Sequence, residues 1–481
     1  MHRVGIGGVQ NFDAALETPT IVDRRIPYMS PDWKDAFRYA AETAQSLGLE
    51  LAIAASPGWS ETGAPWVTAQ DAMKKLVWSE TIVDGGTAFT GALAPIPNVT
   101  GPFQTMGRDR GEDAIFGIKV KPPSYSEDVA VFAYPIERPS TPLPTPLLKS
   151  AKGEPLDTAK VEDGDYETAL SVERGSPEKP GFIDLEYSAP QTARSATIFI
   201  SGLANTFTPA DLRPRLEASD DGTSWRPVAD IPLSPAPTTI SFAPVTASRF
   251  RLVLASANLH PFPMGTPAPG AVITSFTFGP APKTVKLAEL RLSPEARVNA
   301  FEMKAGFALT PDYYALSAAS AADTKGPRPS AVIDLTSKMK ANGRLDWTPP
   351  PGRWRILRFG YSLVGTMNHP ATVEATGLEV DKFDGAALRR YLGTYLTSYS
   401  SFLGKSLIGQ RGLRALLSDS IEVGPSNWTP NFLKQFKRLR GYDARPWMPA
   451  LAGYMIGTPE QTDAFLYDFR RTLADLISTG H

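Results

Sequence analysis

Apolar positions in the first hundred residues follow two spacings, one typical of buried strands and one typical of an amphipathic helix. Val4 to Val9 and Leu49 to Ala55 are short, nearly continuous apolar stretches, which predict strands buried on both faces. Between them, a helix is predicted to begin after the N-cap Ser30 and to end at Gly48. Its apolar stripe consists of Trp33, Phe37, Ala40, Ala41, Ala44 and Leu47. Strand, helix and strand in this order predict a parallel sheet with a crossover helix.

From about Thr81 to Leu363 the pattern changes. Pro, Thr and Ser become more frequent, helical spacing nearly disappears, and short alternating strands recur. The predicted strands include Val129 to Tyr134, Ala196 to Ser201, Arg249 to Leu254 and Val332 to Leu335. This β-rich stretch is long enough for more than one β-sandwich.

Helix and strand then alternate again towards the end of the chain. Asp384 is the predicted N-cap of a helix that ends at Gly404, and Leu413 to Leu417 is a predicted strand. A further helix is predicted from Thr429, and the last one opens with the capping-box spacing of Thr458 to Gln461. The apolar positions of the first of these helices are Leu388, Tyr391, Leu392, Tyr395, Tyr399, Phe402 and Leu403.

The pattern therefore predicts an α/β plus all-β chain, in which a partial (α/β)8 TIM-type barrel is interrupted by a β-rich insertion. We expect barrel segments at residues 1–80 and 364–481, the second one truncated, and the insertion at 81–363. The three or four parallel strands are too few for a closed barrel, which needs roughly 250 residues of its own. Because MHRVGIGGVQ has no apolar signal-peptide core and a strand follows at once, Met1 is interpreted as an internal methionine of a longer protein.

Composition excludes several kinds of chemistry. The 49 basic and 50 acidic residues give a net charge of -1, so no electrostatic feature predicts nucleic acid or an anionic membrane as a partner. The absence of cysteine excludes disulfides, thiolate metal sites and cysteine nucleophiles. The four histidines are scattered, so we expect that any metal is held by oxygen ligands.

Polar and aromatic residues follow each predicted parallel strand, and ligand sites form at the carboxyl ends of such strands. Tryptophan faces stack on the apolar face of a pyranose, while amides and carboxylates accept the hydrogens of its hydroxyl groups. The candidate site residues are Asn11 and Asp13 after the first strand, Trp59, Glu61 and Trp66 after the second, Asp419, Glu422 and Trp428 after the third, and His369 and Glu374 in the loop at residues 365–381.

The pattern alone leaves the roles of the acidic candidates open. Glu422 is either a catalytic carboxyl, since glycoside hydrolysis commonly uses two, or a solvated loop carboxylate. For Glu61 and Glu374 the solvated carboxylate is the favoured interpretation. Asp13 is either a site residue or a turn-forming residue.

Four segments in this order resemble the α-L-rhamnosidases of glycoside hydrolase family 106: GGVQNFDA, YMSPDWKDAFRYAAETAQSLGLELAIAASPGWSETGAPWV, HPATVEATGLEVDKFD and LLSDSIEVGPSNWT. The resemblance covers residues 1 to about 80 and about 355 to 481. It implies an (α/β)8 catalytic barrel, inverting hydrolysis of terminal α-L-rhamnosyl residues of plant or bacterial glycans, dependence on calcium, and a secreted or periplasmic location for the full-length protein. It also implies that Glu422 is the general acid. The family's general base has no counterpart up to His481.

Three segments of the insertion resemble galactose-binding-like, discoidin-type β-sandwiches: Val161 to Thr168, Arg215 to Val228 and Ser241 to Leu254. We expect this sandwich at residues 155–295, with a hairpin that turns at Asp220 to Gly222. Such modules bind sugars or act as spacers, and the spacer is favoured here. Asp163 and Asp165 are candidate ligands of a structural calcium, and the alternative is a capped turn.

Two other functions stay open. The chain is alternatively a non-catalytic carbohydrate-binding protein that uses the β-sandwich, or a truncated product without an independent function, because part of a barrel leaves strand edges open.

Overall fold

Four β-sheets and six α-helices form the described part of the chain in a computed structural model. The structure describes residues 1–15, 22–108, 120–136, 141–203, 210–256, 282–310, 313, 316, 324–421 and 423–480. Among these residues, no helix is both long enough and apolar enough to cross a membrane.

The strands are, in chain order, β1 Gly8–Asn11, β2 Glu50–Ala54, β3 Lys74–Asp84, β4 Phe89–Ala92, β5 Ser126–Pro135, β6 Leu147–Ser150, β7 Pro155–Leu156, β8 Leu170–Glu173, β9 Phe182–Ser201, β10 Arg215–Ser219, β11 Arg226–Asp230, β12 Thr238–Val253, β13 Thr284–Ser293, β14 Ile333–Asp334, β15 Arg344–Trp347, β16 Arg353–Leu363 and β17 Leu413–Leu417.

The α-helices are α1 Pro31–Ser46, α2 Ala159–Glu162, α3 Phe301–Lys304, α4 Gly385–Leu403, α5 Phe432–Arg440 and α6 Pro459–Gly480. Short 3-10 helices cover His2–Val4, Ala69–Asp71, Pro329–Ala331, Thr336–Lys338, Val373–Ala375, Lys405–Leu407 and Arg445–Ala452.

The candidate site is built on a three-stranded sheet in which β2 pairs in parallel with β1 on one side and β17 on the other. Helices α1 and α4 cover this sheet, and Phe37, Ile53 and Tyr399 meet in their common core. Ser30 caps α1 by accepting a hydrogen bond from the Trp33 amide at 3.3 Å. The parallel sheet with a crossover helix is therefore confirmed. In the described ranges no other strand pairs in parallel, and the three strands form an open sheet.

Two details of the predicted α/β segments are wrong. The first strand is β1 rather than Val4 to Val9, because Gly5 ends the preceding 3-10 helix in a left-handed conformation and leaves Val4 exposed. Ala40 and Leu47 do not belong to the buried stripe of α1, which consists of Phe37, Ala41 and Ala44. A buried stripe of only three residues still covers the sheet, because the side chains of α4 that face it are large tyrosines.

A four-stranded antiparallel sheet has the order β14-β5-β16-β3. Its apolar face contributes Phe132 and Phe359 to the largest core, in which Phe432 of α5 and Phe469 of α6 also lie. Strand β3 continues past residue 80, so the predicted boundary there falls inside a strand. The capping box of α6 is confirmed by the reciprocal hydrogen bonds between Thr458 and Gln461.

An eight-stranded antiparallel sheet contains the two longest strands, β9 and β12. The first half of β9 pairs with the second half of β12 and with β6, whereas its second half pairs with the first half of β12 and with β13. Side chains from all these strands enclose one apolar core. The predicted hairpin is confirmed as β10 and β11, but it closes through a longer loop in which Asp221 accepts the amides of Thr223 and Ser224 at 2.7 Å.

A buried charge network joins the two larger antiparallel sheets to the C-terminal helical segment. Arg355 of β16 donates to Glu80 of β3 at 2.8 Å and to Glu295, which follows β13, at 3.0 Å. Its guanidinium carbon lies 4.2 Å from the centre of the Tyr454 ring, and that of Arg297 lies 3.9 Å from the same ring. One arginine therefore connects three separate parts of the chain.

Replacing Arg355 by Met should lower the free energy of unfolding by about 2–3 kcal/mol, since two carboxylates lose their partner but keep partial contact with water. Urea unfolding followed by circular dichroism measures this change. Arg344→Met, which removes an exposed arginine beside Asp346, is the matched control and should change the midpoint little. Equal effects of the two substitutions would contradict the structural role of the network.

Candidate active site

The carboxyl ends of the three parallel strands lie side by side and are joined by backbone hydrogen bonds. The Ala55 amide, just after β2, donates to the Leu417 carbonyl at the end of β17 at 2.8 Å. The Gly58 amide donates to the carbonyl of Asp13, which follows β1, at 2.9 Å. The loops that follow the three strands therefore begin at one edge of the sheet.

The loop at residues 365–381 closes against the same edge. The amides of Trp59 and Ser60 donate to the His369 carbonyl at 3.2 and 3.1 Å, and the His369 amide donates to the Ser60 hydroxyl at 3.1 Å. Gly58 has a φ of 87°, and a Cβ there would lie 2.7 Å from the His369 carbonyl oxygen, so only glycine fits. His369 is itself buried, and its Nδ1 lies 2.9 Å from the Met367 carbonyl. Its observed contacts therefore hold two loops together.

A buried lysine links the acidic groups of these loops. The side chain of Lys382 is 3% exposed, and its ammonium lies 2.9 Å from Glu379 and 3.3 Å from Glu61. Glu379 also accepts a hydrogen bond from the Thr62 hydroxyl at 2.6 Å. The Ser418 hydroxyl, directly after β17, donates to Glu61 at 3.4 Å. Glu61 is thus a buried, paired carboxylate and not the solvated one that the pattern favoured.

Asp13 lies half-buried just beyond the end of β1. Burial raises the pKa of its carboxyl from 3.8 to about 6, against the opposing effect of hydrogen bonds with Asn11 and Trp33. A carboxyl with such a pKa exchanges its proton close to neutral pH. Asn11 and Asp13 therefore form one hydrogen-bonded group at the strand end.

Glu374 binds the segment that precedes α1. It accepts hydrogen bonds from Arg25 at 2.7 and 3.1 Å and from the Tyr28 amide at 2.9 Å. The hydrogen bond from Arg25 is the main cause that lowers the pKa of Glu374 to about 2. Both carboxylate oxygens are engaged in holding the segment before α1, so the structure gives this predicted site residue a structural contact.

The three predicted tryptophans lie in three different environments. Trp59 is half-buried on the loop after β2. Trp66 stacks on Tyr391 and Tyr395 of α4, with ring centres 6.0 Å apart in both pairs. Trp428 is 1% exposed and packs on Phe432 in the largest core, so the structure corrects its predicted role in sugar stacking.

The segment after β17 carries the last two acidic candidates. Asp419 is exposed and accepts a hydrogen bond from the Ser420 amide at 2.9 Å. Glu422 lies outside the described residues. The next residue, Val423, is buried, and its carbonyl accepts a hydrogen bond from the Thr366 hydroxyl at 3.0 Å.

The candidate calcium ligands form a hydrogen-bonded turn. Asp163 accepts hydrogen bonds from the Asp165 amide at 2.9 Å and from the Thr168 hydroxyl at 2.7 Å, and Asp165 accepts one from the Glu167 amide. These contacts match the capped turn, the alternative interpretation. In the described ranges no three histidine or acidic residues are grouped as metal ligands. The calcium requirement stays a prediction.

Lys382 and Tyr391 were not among the candidate residues predicted from the sequence, although both contact the loops at this edge. Lys382 follows Asp381 in an ordinary mixed-charge stretch, and nothing in the local pattern distinguishes a buried lysine from a solvated one. Tyr391 was assigned only to the apolar stripe of its helix. Its hydroxyl donates to Ala55 at 2.8 Å, a contact between residues far apart in sequence.

The loops after the parallel strands carry acidic side chains and the half-buried Trp59, which are the residue types that sugar recognition uses. The chain belongs to glycoside hydrolase family 106, alpha-L-rhamnosidase, which it matches over residues 1–481. The family assigned from the four sequence segments is therefore confirmed, and the chain is a member of a glycosidase family.

Two relatives show how much of a longer protein the chain corresponds to. The structure of a rhamnosidase from Novosphingobium sp. PP1Y is similar with a TM-score of 0.86 and 49% sequence identity, covering 100% of this chain and 42% of that one. A Formosa agariphila protein, provisionally named a beta-glucuronidase, is 25% identical over 481 residues, which are 100% of this chain and 26% of that protein. The chain thus spans less than half the length of either relative.

Replacing Lys382 by Met should remove the positive group that two buried carboxylates share and lower the free energy of unfolding by about 3–5 kcal/mol at pH 8. Because uncompensated buried carboxylates take up protons as the pH falls, the loss should shrink at pH 5. Thermal unfolding at the two pH values measures it. Lys152→Met, at an exposed ion pair with Glu173, is the control. A loss at pH 8 no larger than that of the control would contradict the linking role of Lys382.

Proposed function

We propose that the chain contributes to the hydrolysis of terminal α-L-rhamnosyl residues of plant or bacterial glycans by an inverting acid/base mechanism. The observation that supports this most is the joining of three strand ends, which gathers Asp13, Glu61, Asp419 and Trp59 at one edge of the parallel sheet. Membership of the α-L-rhamnosidase family supplies the substrate class.

In this mechanism Glu422 is the general acid. Its carboxyl protonates the glycosidic oxygen as the bond to the sugar breaks, while a second carboxyl activates water on the opposite face of the ring. In the sequence, Glu422 lies five residues after Leu417, the last residue of β17. The second carboxyl is not assigned among residues 1–481.

Sugar recognition is assigned to groups that the structure leaves accessible. The half-buried ring of Trp59 offers a face for the apolar side of the sugar. Asn11, Asp13 and Asp419 offer oxygen atoms that accept hydrogens from sugar hydroxyl groups. Because rhamnose carries no charge, these groups suffice for its recognition.

A glucuronide fits the described charges less well. Its carboxylate requires a positive partner at the cleaved sugar. Near the strand ends, the Lys382 ammonium is buried between two glutamates and the Arg25 guanidinium is bound to Glu374. Because each of these two cations is paired with a carboxylate, neither is available to bind the carboxylate of a glucuronide.

Two further expectations belong to this proposal. We propose that activity depends on calcium and that the full-length protein works outside the cytoplasm. Both rest on the family resemblance alone, and neither enters the mechanism above.

We expect the full-length protein to hydrolyse aryl α-L-rhamnosides and not aryl β-D-glucuronides. Glu422→Gln should lower kcat/KM on an alkyl rhamnoside, whose leaving group is poor, on the order of 10³-fold, and much less on a 4-nitrophenyl rhamnoside that leaves without protonation. Steady-state kinetics on both substrates measure this difference. Glu42→Gln, at an exposed position of α1, is the matched control.

Two outcomes of these kinetic measurements would contradict the proposal. An equal loss on both rhamnosides would contradict the role of Glu422 as acid and point to water activation instead. Hydrolysis of the glucuronide, without hydrolysis of either rhamnoside, would contradict the proposed substrate.

A further inference from the structure

Trp59 occupies an unusual position in the loop after β2. From Ile53 to Ala64 every residue is buried except Trp59, which is half-buried. The rest of the loop is buried, so the position of the Trp59 ring depends on how firmly that loop is fixed. The groups that hold this loop are therefore part of any recognition by Trp59.

Two tyrosines of α4 hold the loop from the helix side. The Tyr391 hydroxyl donates to the Ala55 carbonyl at 2.8 Å and lies 3.3 Å from the Gly63 carbonyl, so one group contacts both ends of the loop. The Tyr395 hydroxyl donates to the Ala54 carbonyl at 2.9 Å. Both rings are buried, so their hydroxyl groups find no water in place of these carbonyls.

The loop is also held from the opposite direction. The Asn368 amide group donates to the Pro57 carbonyl at 2.8 Å, and the His369 carbonyl accepts the amides of Trp59 and Ser60. The two ends are thus fixed by α4 and the middle by the loop at residues 365–381. Loosening the ends frees the middle, because the closure of a short loop depends on the distance between its ends.

The Tyr391 ring is itself fixed in orientation. The Trp66 ring stacks on it with an interplanar angle of 16°, and Tyr395 stacks on it at 10°. The helix that carries Tyr391 is anchored by its N-cap Asp384, which accepts the Ala386 amide at 2.9 Å. The hydroxyl is therefore a pre-organised donor at a defined point under the loop.

We propose that Tyr391 is a positioning residue, which fixes Trp59 as the stacking surface for the sugar ring by clamping both ends of the loop that carries it. This inference rests on the proposed function, since it names the residue that determines sugar binding at the same site. Tyr391 acts through Trp59 and does not touch the sugar.

The test compares Tyr391→Phe, Trp59→Ala and the double variant in the full-length protein, with 4-nitrophenyl α-L-rhamnoside as substrate. Stacking acts equally on the bound substrate and on the transition state, so Tyr391→Phe should raise KM about tenfold and leave kcat nearly unchanged. In the double variant, KM should equal that of Trp59→Ala, because Tyr391 acts through the same ring. Tyr399→Phe, which removes a buried hydroxyl of the same helix face that contacts Tyr395, is the matched control.

A merely structural role predicts a different result. Loss of folded enzyme lowers the apparent kcat and leaves KM unchanged, and that outcome would overturn the inference. Additive effects of the two substitutions on KM would overturn it as well.

Hydrogen exchange of the Trp59 and Ser60 amides provides a readout that needs no turnover. Faster exchange in Tyr391→Phe than in Tyr399→Phe supports the clamp, and equal exchange in both variants rejects it. If the unmodified full-length protein cleaves no rhamnoside, the proposed function fails, while the exchange rates still decide whether Tyr391 positions the loop.

Discussion

Two glutamates share one buried ammonium at the carboxyl edge of the parallel sheet, and the geometry of the whole edge depends on this arrangement. A buried carboxylate is costly unless a positive group lies close to it. Glu61 and Glu379 come from different loops and both meet Lys382, so the two loops cannot separate without exposing an unpaired charge. Through Ser418, Glu61 extends the same constraint to the end of β17.

Backbone hydrogen bonds hold the same edge of the sheet in addition to these charges. The segment after β2 has its carbonyl and amide groups bound by α4, by Asp13 and by His369, in agreement with the rule that buried backbone groups find partners. The result is a largely buried loop that presents Trp59. Such rigidity is useful for a site that must distinguish one sugar from another, because binding then costs little ordering of the protein.

Sequence patterns located the elements of the site well and the neighbours of its side chains poorly. The N-caps Ser30 and Asp384, the strand Leu413–Leu417 and the capping box at Thr458 are each confirmed, since caps and short apolar stretches are local signals. Element ends were less predictable. The helix predicted from Thr429 begins at Phe432, and the first strand begins at Gly8, because polar neighbours and turns shift such ends without changing the apolar pattern.

The sequence by itself determined the family and the parallel pairing of strands separated by a long β-rich stretch. Strand type and helix amphipathicity depend on side chains a few residues apart, and so they can be read along the chain. Only the tertiary structure decided that Trp428 belongs to the core, that Glu374 holds Arg25, and that Glu61 is paired with Lys382. Each of these roles depends on a partner more than 100 residues away or on burial by several elements, and no local pattern encodes such a contact.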